Sequence, residues 1–286
     1  MSFEVVNGGI FTTMQDLGRY GYAHLGVTSS GAMDEYAYKW ALKLLDDVDT
    51  NALEILMGGL QLKATADTYI AVTGADLDFK INGVSKPIWQ SIKVKKGDTL
   101  SFGMQKSGMR AYLSVKGGFK TQKIKGSYST TIREGIGDKL KKGDILKCES
   151  FQKQPLRRLK QEYIPTYQNE LTLRLVLGYQ DHYFTDEQKE KLFNSEYKLS
   201  QDISRMGYKL NGPALTPKST SLISEGIAYG AVQIPKEGEP IILLKERQTI
   251  GGYPKIGSVI PEDCFKLSQM PIGSTIRFKR ATKESF

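Results

Sequence analysis

Polar side chains gathered ahead of a double glycine offer the first chemistry in this sequence. The stretch KERQTIGGYPKIG, Lys245 to Gly257, follows the short apolar run PIILL, which reads as a buried strand. A strand leaving a core commonly ends in a small polar turn. Here it delivers Lys245, Glu246, Arg247, Gln248 and Thr249 before Gly251 and Gly252. Cationic side chains suit anions, and Gln and Thr both donate and accept hydrogen bonds. Paired glycines let the backbone turn tightly. The spacing is not that of a phosphate loop, because no GxxxxGK[ST] is present. Taken alone, the stretch reads equally well as a busy hairpin.

Four other stretches carry polar groups. In QDLGRYGYAHLGVTSSGAMD, Gln15, Asp16 and Arg19 precede a helix that Ser29 or Ser30 can cap, followed by Gly31. Free amides at a helix N-terminus bind anions. Equally, the serines simply cap and Asp16–Arg19 is a local ion pair. In SQDISRMGYKLNGPAL, Arg205 suits bidentate binding of a carboxylate or phosphate, or a salt bridge to Asp202. In SEGIAYGAVQIP, Glu225 and Gln233 flank a glycine-rich strand pair, a pattern of close backbone approach. The hydroxyl-rich GSYSTTIREGIGD, with Ser127, Ser129 and Thr130, reads by itself as a surface loop.

Several chemistries lack support. There is no strand–GxGxxG–helix unit and no GxSxG elbow. Two histidines, His24 and His182, without clustered cysteines or carboxylates, argue against a metal site. Both read as residues packed near turns.

The elements that must position these groups are mainly strands. Short apolar runs such as TYIAVTGA, RAYLSVKGG and LTLRLVLG are bounded by turn residues, and glycine occurs 29 times. A turn recurs as KKGDTL, KKGDIL and PIGSTI, each placing Gly then Asp or Ser before an extended segment. Helices are few. The clearest is SSGAMDEYAYKWALKLLDD, with Asp34 and Glu35 in its first turn and Met33, Tyr36, Ala37, Trp40, Ala41 and Leu44 on one face. Others are expected from Thr185, with Gln188 at capping-box spacing, and from Pro261. The polar, proline-containing segment after Phe151 suggests two domains, residues 1–155 and 156–286.

Charge and composition exclude more than they assign. The net charge is +9, and the basic segment from Lys139 to Lys160 lacks aromatic interleaving, so it reads as a solvated connector, with no nucleic-acid partner. No run spans a bilayer and no signal peptide is evident. With two cysteines, this favours a cytoplasmic protein.

Together QDLGRYGYAHLGVTSSGAMD, SRMGYKLNGP, SEGIAYGAVQIP and RQTIGGYPKIGSVI resemble the KipA-like family, also called allophanate hydrolase subunit 2 or the 5-oxoprolinase C-subunit family. The resemblance runs from about Gly18 to Phe278. It departs from the family at Thr28, Tyr128, Ser204 and Ile250, where Pro, Arg, Asp and Thr are usual. The resemblance implies a mainly β protein with two cyclophilin-like β-barrel domains and a few short helices. It implies two partners, one KipI-like and one LamB/YcsF-like, and an ATP-dependent opening of 5-oxo-L-proline to L-glutamate. ATP is then expected on the assembled complex, with no cofactor or metal intrinsic to this chain. The alternatives within the family are a biotin-dependent carboxyltransferase of the urea carboxylase type and a KipI-binding regulator of a sensor kinase. On the leading reading, Arg19, Arg205, Arg247 and Lys255 supply positive charge. Backbone amides at Ser30–Gly31 and Gly251–Gly252 supply oriented donors. Gln233, Gln248, Thr249 and Tyr253 contact substrate, and Glu225 or Asp34 handles a proton.

Overall fold

The computed structural model describes residues 2–151 and 153–282. They divide into two compact units. The first comprises the chain up to Arg19 together with Ser30–Tyr167; the second comprises Tyr20–Ser29 and the chain from Gln168 onward.

The first unit begins with β1 (Ser2–Gly8) and β2 (Phe11–Gln15), then helix α1 (Glu35–Lys43). There follow β3 (Ala52–Leu56), β4 (Leu60–Ala64), β5 (Thr68–Asp76), β6 (Lys80–Ile81) and β7 (Val84–Ser85). It ends with β8 (Gln90–Val94), β9 (Thr99–Ser101), β10 (Ser107–Val115) and β11 (Ile145–Lys147). Two antiparallel sheets result, ordered β11-β1-β4-β9-β6-β7 and β2-β3-β10-β5-β8. Strand β4 alternates strictly, sending Leu60, Leu62 and Ala64 inward, as the two-residue period of a half-buried strand requires. Those side chains meet Ile55, Val72 and Leu113 of the other sheet in one core. Strands β5 and β10 are buried on both faces because α1 covers their outer side. Ala37, Tyr38 and Ala41 pack there with Ala52 and Tyr112.

Helix α1 starts later than its sequence suggests. Its cap is Asp34, whose side chain accepts the amide of Ala37 at 3.0 Å. Ser30 and Gly31 lie outside the helix with φ of 51° and 103°, so neither serine caps it. At Gly31 the choice of residue is forced: a Cβ would sit 2.8 Å from the carbonyl oxygen of Leu17, in a left-handed conformation that side chains resist. The expected boundary after residue 155 also moves. Ser91 donates its amide to the carbonyl of Arg157, Leu159 donates to the carbonyl of Trp89, and Leu159 is buried beside Trp89. The chain therefore leaves the first unit only after Tyr167.

The second unit contains β12 (Glu170–Leu177), α2 (Asp186–Asn194), β13 (Tyr197–Ile203), β14 (Gly207–Asn211) and β15 (Glu225–Gly226). It continues with β16 (Ala231–Gln233), β17 (Ile241–Leu243), β18 (Ile250–Gly251) and β19 (Lys255–Val259). Helix α3 (Pro261–Leu267) and β20 (Thr275–Arg280) complete it. Seven strands close into a barrel ordered β12-β19-β16-β17-β14-β13-β20. Closure comes from the parallel pairing of β12 with β20, Glu170 opposite Thr275 through Leu175 opposite Arg280. A closed barrel leaves no sheet edge unpaired. Thr185 caps α2 by accepting the amide of Gln188, and Pro261 opens α3, both as the sequence indicates.

The recurring turn is one device used three times. In Lys95–Asp98, Lys141–Asp144 and Pro271–Ser274 the last amide donates to the first carbonyl, with Gly97, Gly143 and Gly273 all at positive φ. Asp98 and Asp144 also accept the first residue's amide at 2.8 Å. Pro271 has no amide, so Ser274 instead donates its hydroxyl to the Pro271 carbonyl at 2.7 Å.

Candidate functional site

In the second unit the polar residues converge on the short ribbon formed by β15 and β18, where Glu225 pairs with Gly251 and Gly226 with Ile250. Beside it β19 carries a bulge: Val232 faces Gly257 but Gln233 faces Lys255, leaving Ile256 unmatched. Bulges re-aim side chains. Here Lys255 reaches Glu225 with Nζ 2.5 Å from Oε1. Gln180 donates to the same carboxylate at 2.5 Å and accepts the backbone amide of Lys255 at 2.8 Å. The Lys255 hydrogen bond, then that of Tyr179, holds the Glu225 carboxyl below the usual carboxylate range. Glu225 is therefore ionised at neutral pH.

Strand β17 ends at Leu243 and the chain enters the polar run. Arg247 is half-buried. Its Nε donates to the carbonyl of Ile227 at 2.9 Å, and a terminal nitrogen lies 3.4 Å from the Ser29 hydroxyl. Its guanidinium stands 5.9 Å from the centre of the Tyr229 ring, and Lys245 stands 4.7 Å from it. No carboxylate of the described residues lies within ion-pair distance of Arg247, and burial pulls its pKa down. A half-buried cation without an anion is electrostatically prepared to receive one.

Arg205 is different. Its Nε donates to Glu246 at 2.5 Å, and both residues are 8% exposed, so this cation is already neutralised. Asp202, the partner the sequence suggests, is not the residue it meets. The pair fastens the polar run to the β13–β14 turn, where Glu246 also donates its amide to the carbonyl of Arg205.

Gln233 is 4% exposed, and its Nε2 meets no acceptor among the described residues. Gly251 lies against it: a Cβ there would come 3.1 Å from that nitrogen and 2.8 Å from Cδ1 of Ile227. Gly252 serves the backbone instead, accepting the amide of Leu222 at 2.7 Å. Gln248 and Tyr253 are exposed, and Thr249 accepts the amide of Ile227 through its carbonyl.

In the first unit the hydroxyl-rich loop is not a surface loop. Ser127, Ser129, Thr130 and Thr131 are all buried. The Asp16 carboxylate accepts the hydroxyls of Ser127 and Ser129 at 2.6 Å each, the amide of Tyr128 at 2.7 Å and that of Gly18 at 2.8 Å. Arg19 donates to the Thr131 hydroxyl at 2.8 Å and to the Ser129 carbonyl. Ser30 donates to the carbonyl of Thr130 at 3.1 Å. Arg19, Ser30 and Asp16 thus lock this loop. Asp34, 2% exposed, caps α1 and accepts the hydroxyl of Tyr167 at 3.1 Å, which leaves it no open face for proton transfer. The anion site expected at Ser30–Gly31 has no helix N-terminus behind it, since the helix begins at Glu35. A cavity of about 240 Å³ in this unit is lined by Met14, Phe119, Tyr128 and Lys147 among others. None of the site residues expected from sequence lines it.

Among the described residues no group of histidines, cysteines, aspartates and glutamates could hold a metal ion. His24 lies on an exposed 3-10 turn, and His182 contacts the Tyr179 carbonyl at 2.9 Å. Among the described residues no helix is long and apolar enough to cross a membrane.

Residues 25–280 match the carboxyltransferase domain, subdomain A and B. The chain belongs to the carboxyltransferase-domain family. Within it, the chain is 33% identical to the 5-oxoprolinase C-subunit of Escherichia coli, covering 98% of this chain and 92% of that protein. It is also 33% identical to the 5-oxoprolinase C-subunit of Haemophilus influenzae, covering 93% and 87%. The crystal structure of Kluyveromyces lactis urea amidolyase superposes with a TM-score of 0.91 at 28% identity, covering 98% of this chain but 19% of that one.

For this carboxyltransferase-domain chain, sequence reasoning missed Gln180, Tyr179 and Ser29 as members of the second-unit cluster. Gln180 lies in a turn after β12 and is 45 residues from Glu225, so only the barrel brings them together. Its sequence signal was limited to two polar residues following the glycine of LGYQD.

Proposed function

We propose that this chain is the C-subunit of a 5-oxoprolinase, which opens 5-oxo-L-proline to L-glutamate in a complex with one KipI-like and one LamB/YcsF-like partner. The observation that carries this reading is the end-to-end match to two proteins named as 5-oxoprolinase C-subunits. Urea amidolyases match at lower identity, and over 17–19% of their length.

The second-unit cluster supports the reading chemically. 5-Oxoproline is a small carboxylate with a neutral lactam. Arg247, without a carboxylate of its own, suits the carboxylate. Glu225, held ionised, suits acceptance of a proton from an attacking water, and Lys255 beside it can return one. A lactam is a poor electrophile, and ATP would supply activation of its carbonyl oxygen. The residues of this chain do not fit a triphosphate. Arg205 and Lys255 are neutralised by Glu246 and Glu225, and no glycine-rich phosphate loop is present. We therefore assign ATP to the assembled complex, in the cytoplasm.

The fold neighbour favours a second reading, a biotin-dependent carboxyltransferase acting on a urea-like acceptor. Reconstitution separates the two. With the candidate partners, ATP and 5-oxo-L-proline, glutamate release is expected, and Arg247→Ala should reduce it at least 100-fold without unfolding the chain. A folded three-component assembly that releases no glutamate overturns the proposal. Carboxylation of urea by the chain with a biotinylated partner would establish the alternative.

A further inference from the structure

We infer that Gln233 is a substrate-contacting residue that sets specificity: its buried Nε2 donates to a neutral carbonyl oxygen of a small ligand whose anionic group Arg247 holds. The identity of that ligand as 5-oxoproline rests on the proposed function, but the donor role does not.

Three observations converge. The Gln233 amide is almost wholly buried, and its nitrogen has no acceptor among the described residues. Buried donors are nearly always paired, so an orphan of this kind calls for an absent partner. The carboxylate of Glu225, which pairs with Gly251, is already engaged, since its Oε1 takes both Lys255 and Gln180. Second, the bare Cα of Gly251 lies directly against that nitrogen. It has no left-handed φ that would explain a glycine there, and a Cβ would press on both Gln233 and Ile227. The missing side chain is therefore explained by space rather than by backbone conformation. Third, Ile227 joins the two polar groups: Arg247 Nε holds its carbonyl, and its Cδ1 shares the space over Gly251 with Gln233. An apolar wall between a neutral donor and an uncompensated cation matches a small ring that carries a carbonyl and, separately, a carboxylate. A charged second acceptor is disfavoured near Gln233, because Glu225 is ionised beside the same ribbon.

The test uses the full chain with glutamine side-chain amides labelled with ¹⁵N. The Gln233 resonance is assigned by its loss in Gln233→Leu, a variant of similar volume that also removes an unpartnered amide and so should keep the fold. Three probes are titrated: 5-oxo-L-proline, cyclopentanecarboxylate and 2-imidazolidinone. The expected result is that 5-oxoproline moves the Gln233 amide resonance and cyclopentanecarboxylate, which lacks the carbonyl, leaves it in place. Gly251→Ala, which puts a methyl against the Gln233 nitrogen, should weaken 5-oxoproline binding roughly 10-fold or more, about the worth of one hydrogen bond. If 2-imidazolidinone alone moves the resonance, the donor role of Gln233 stands and the 5-oxoprolinase reading falls. If no carbonyl probe moves it, or if Gln233→Leu binds 5-oxoproline as the wild type does, the inference is overturned, whatever the reconstituted assembly does.

Discussion

Replacing Arg205 with Met strips Glu246 of its guanidinium while nearly preserving volume. Both side chains are buried, with Nε and Oε1 2.5 Å apart. Removing one partner of such a buried pair costs about 3–5 kcal/mol. With domains of this size losing roughly 2–4 °C per kcal/mol, the melting transition of the second unit should fall by roughly 6–20 °C. Replacing both residues, Arg205→Met with Glu246→Leu, removes both charges and should restore most of that loss, because a buried pair is weak evidence for net stability. The assay is thermal and urea unfolding of the wild type, the two single variants and the double variant, closed as a cycle. The reasoning is refuted if Arg205→Met shifts the transition by less than about 2 °C, under 1 kcal/mol on that scale, or if the double variant is no better than the single. The same experiment decides between a fastening role for Arg205 and the substrate-binding role its sequence context suggests. A fastener recovers stability when its partner goes as well, and a substrate ligand does not.

Two further outcomes follow from the charges and thiols. The Glu225 carboxyl is held below its unfolded value, so its contribution to stability is present above the unfolded value and lost as pH falls through the folded one. Glu225→Gln should therefore flatten the acid limb of the second unit's stability profile, and an unchanged slope between about pH 5 and pH 3 would contradict the assignment. Cys148 and Cys264 are free and buried, and burial pushes the first up to about 11 and the second higher still. Neither should react with an aromatic disulfide at neutral pH until the chain unfolds, and one fast thiol in the native protein would refute this.

Much of the architecture is written locally. The three Gly–Asp or Gly–Ser turns, the Thr185 cap and the proline opening α3 each depend on two to four neighbouring residues, and the backbone has few ways to satisfy them. Where local signals compete, the sequence is less decisive. Ser29, Ser30 and Asp34 are all good caps, and the helix uses Asp34 because Ser30 and Gly31 turn left-handed ahead of it. The hydroxyls of Ser127 and Ser129 read as surface groups, since nothing nearby in sequence reveals that Asp16, more than 100 positions earlier, collects them.

For the site, residue types left a busy hairpin and a binding site equally open, and the family resemblance singled out Arg247, Glu225, Lys255, Gln233 and Gly251. What each can do was decided by the tertiary structure. Arg205 and Arg247 are alike as sequence; one is neutralised by a glutamate 41 residues away and the other is not. Gln233 is set apart from Gln248 by the fold: its nitrogen is buried and unanswered against the bare Cα of Gly251, whereas Gln248 is exposed. The division has a physical cause. Backbone preferences act over a few residues, whereas the charge state of a side chain and the partners left to it depend on which strands the barrel registers side by side.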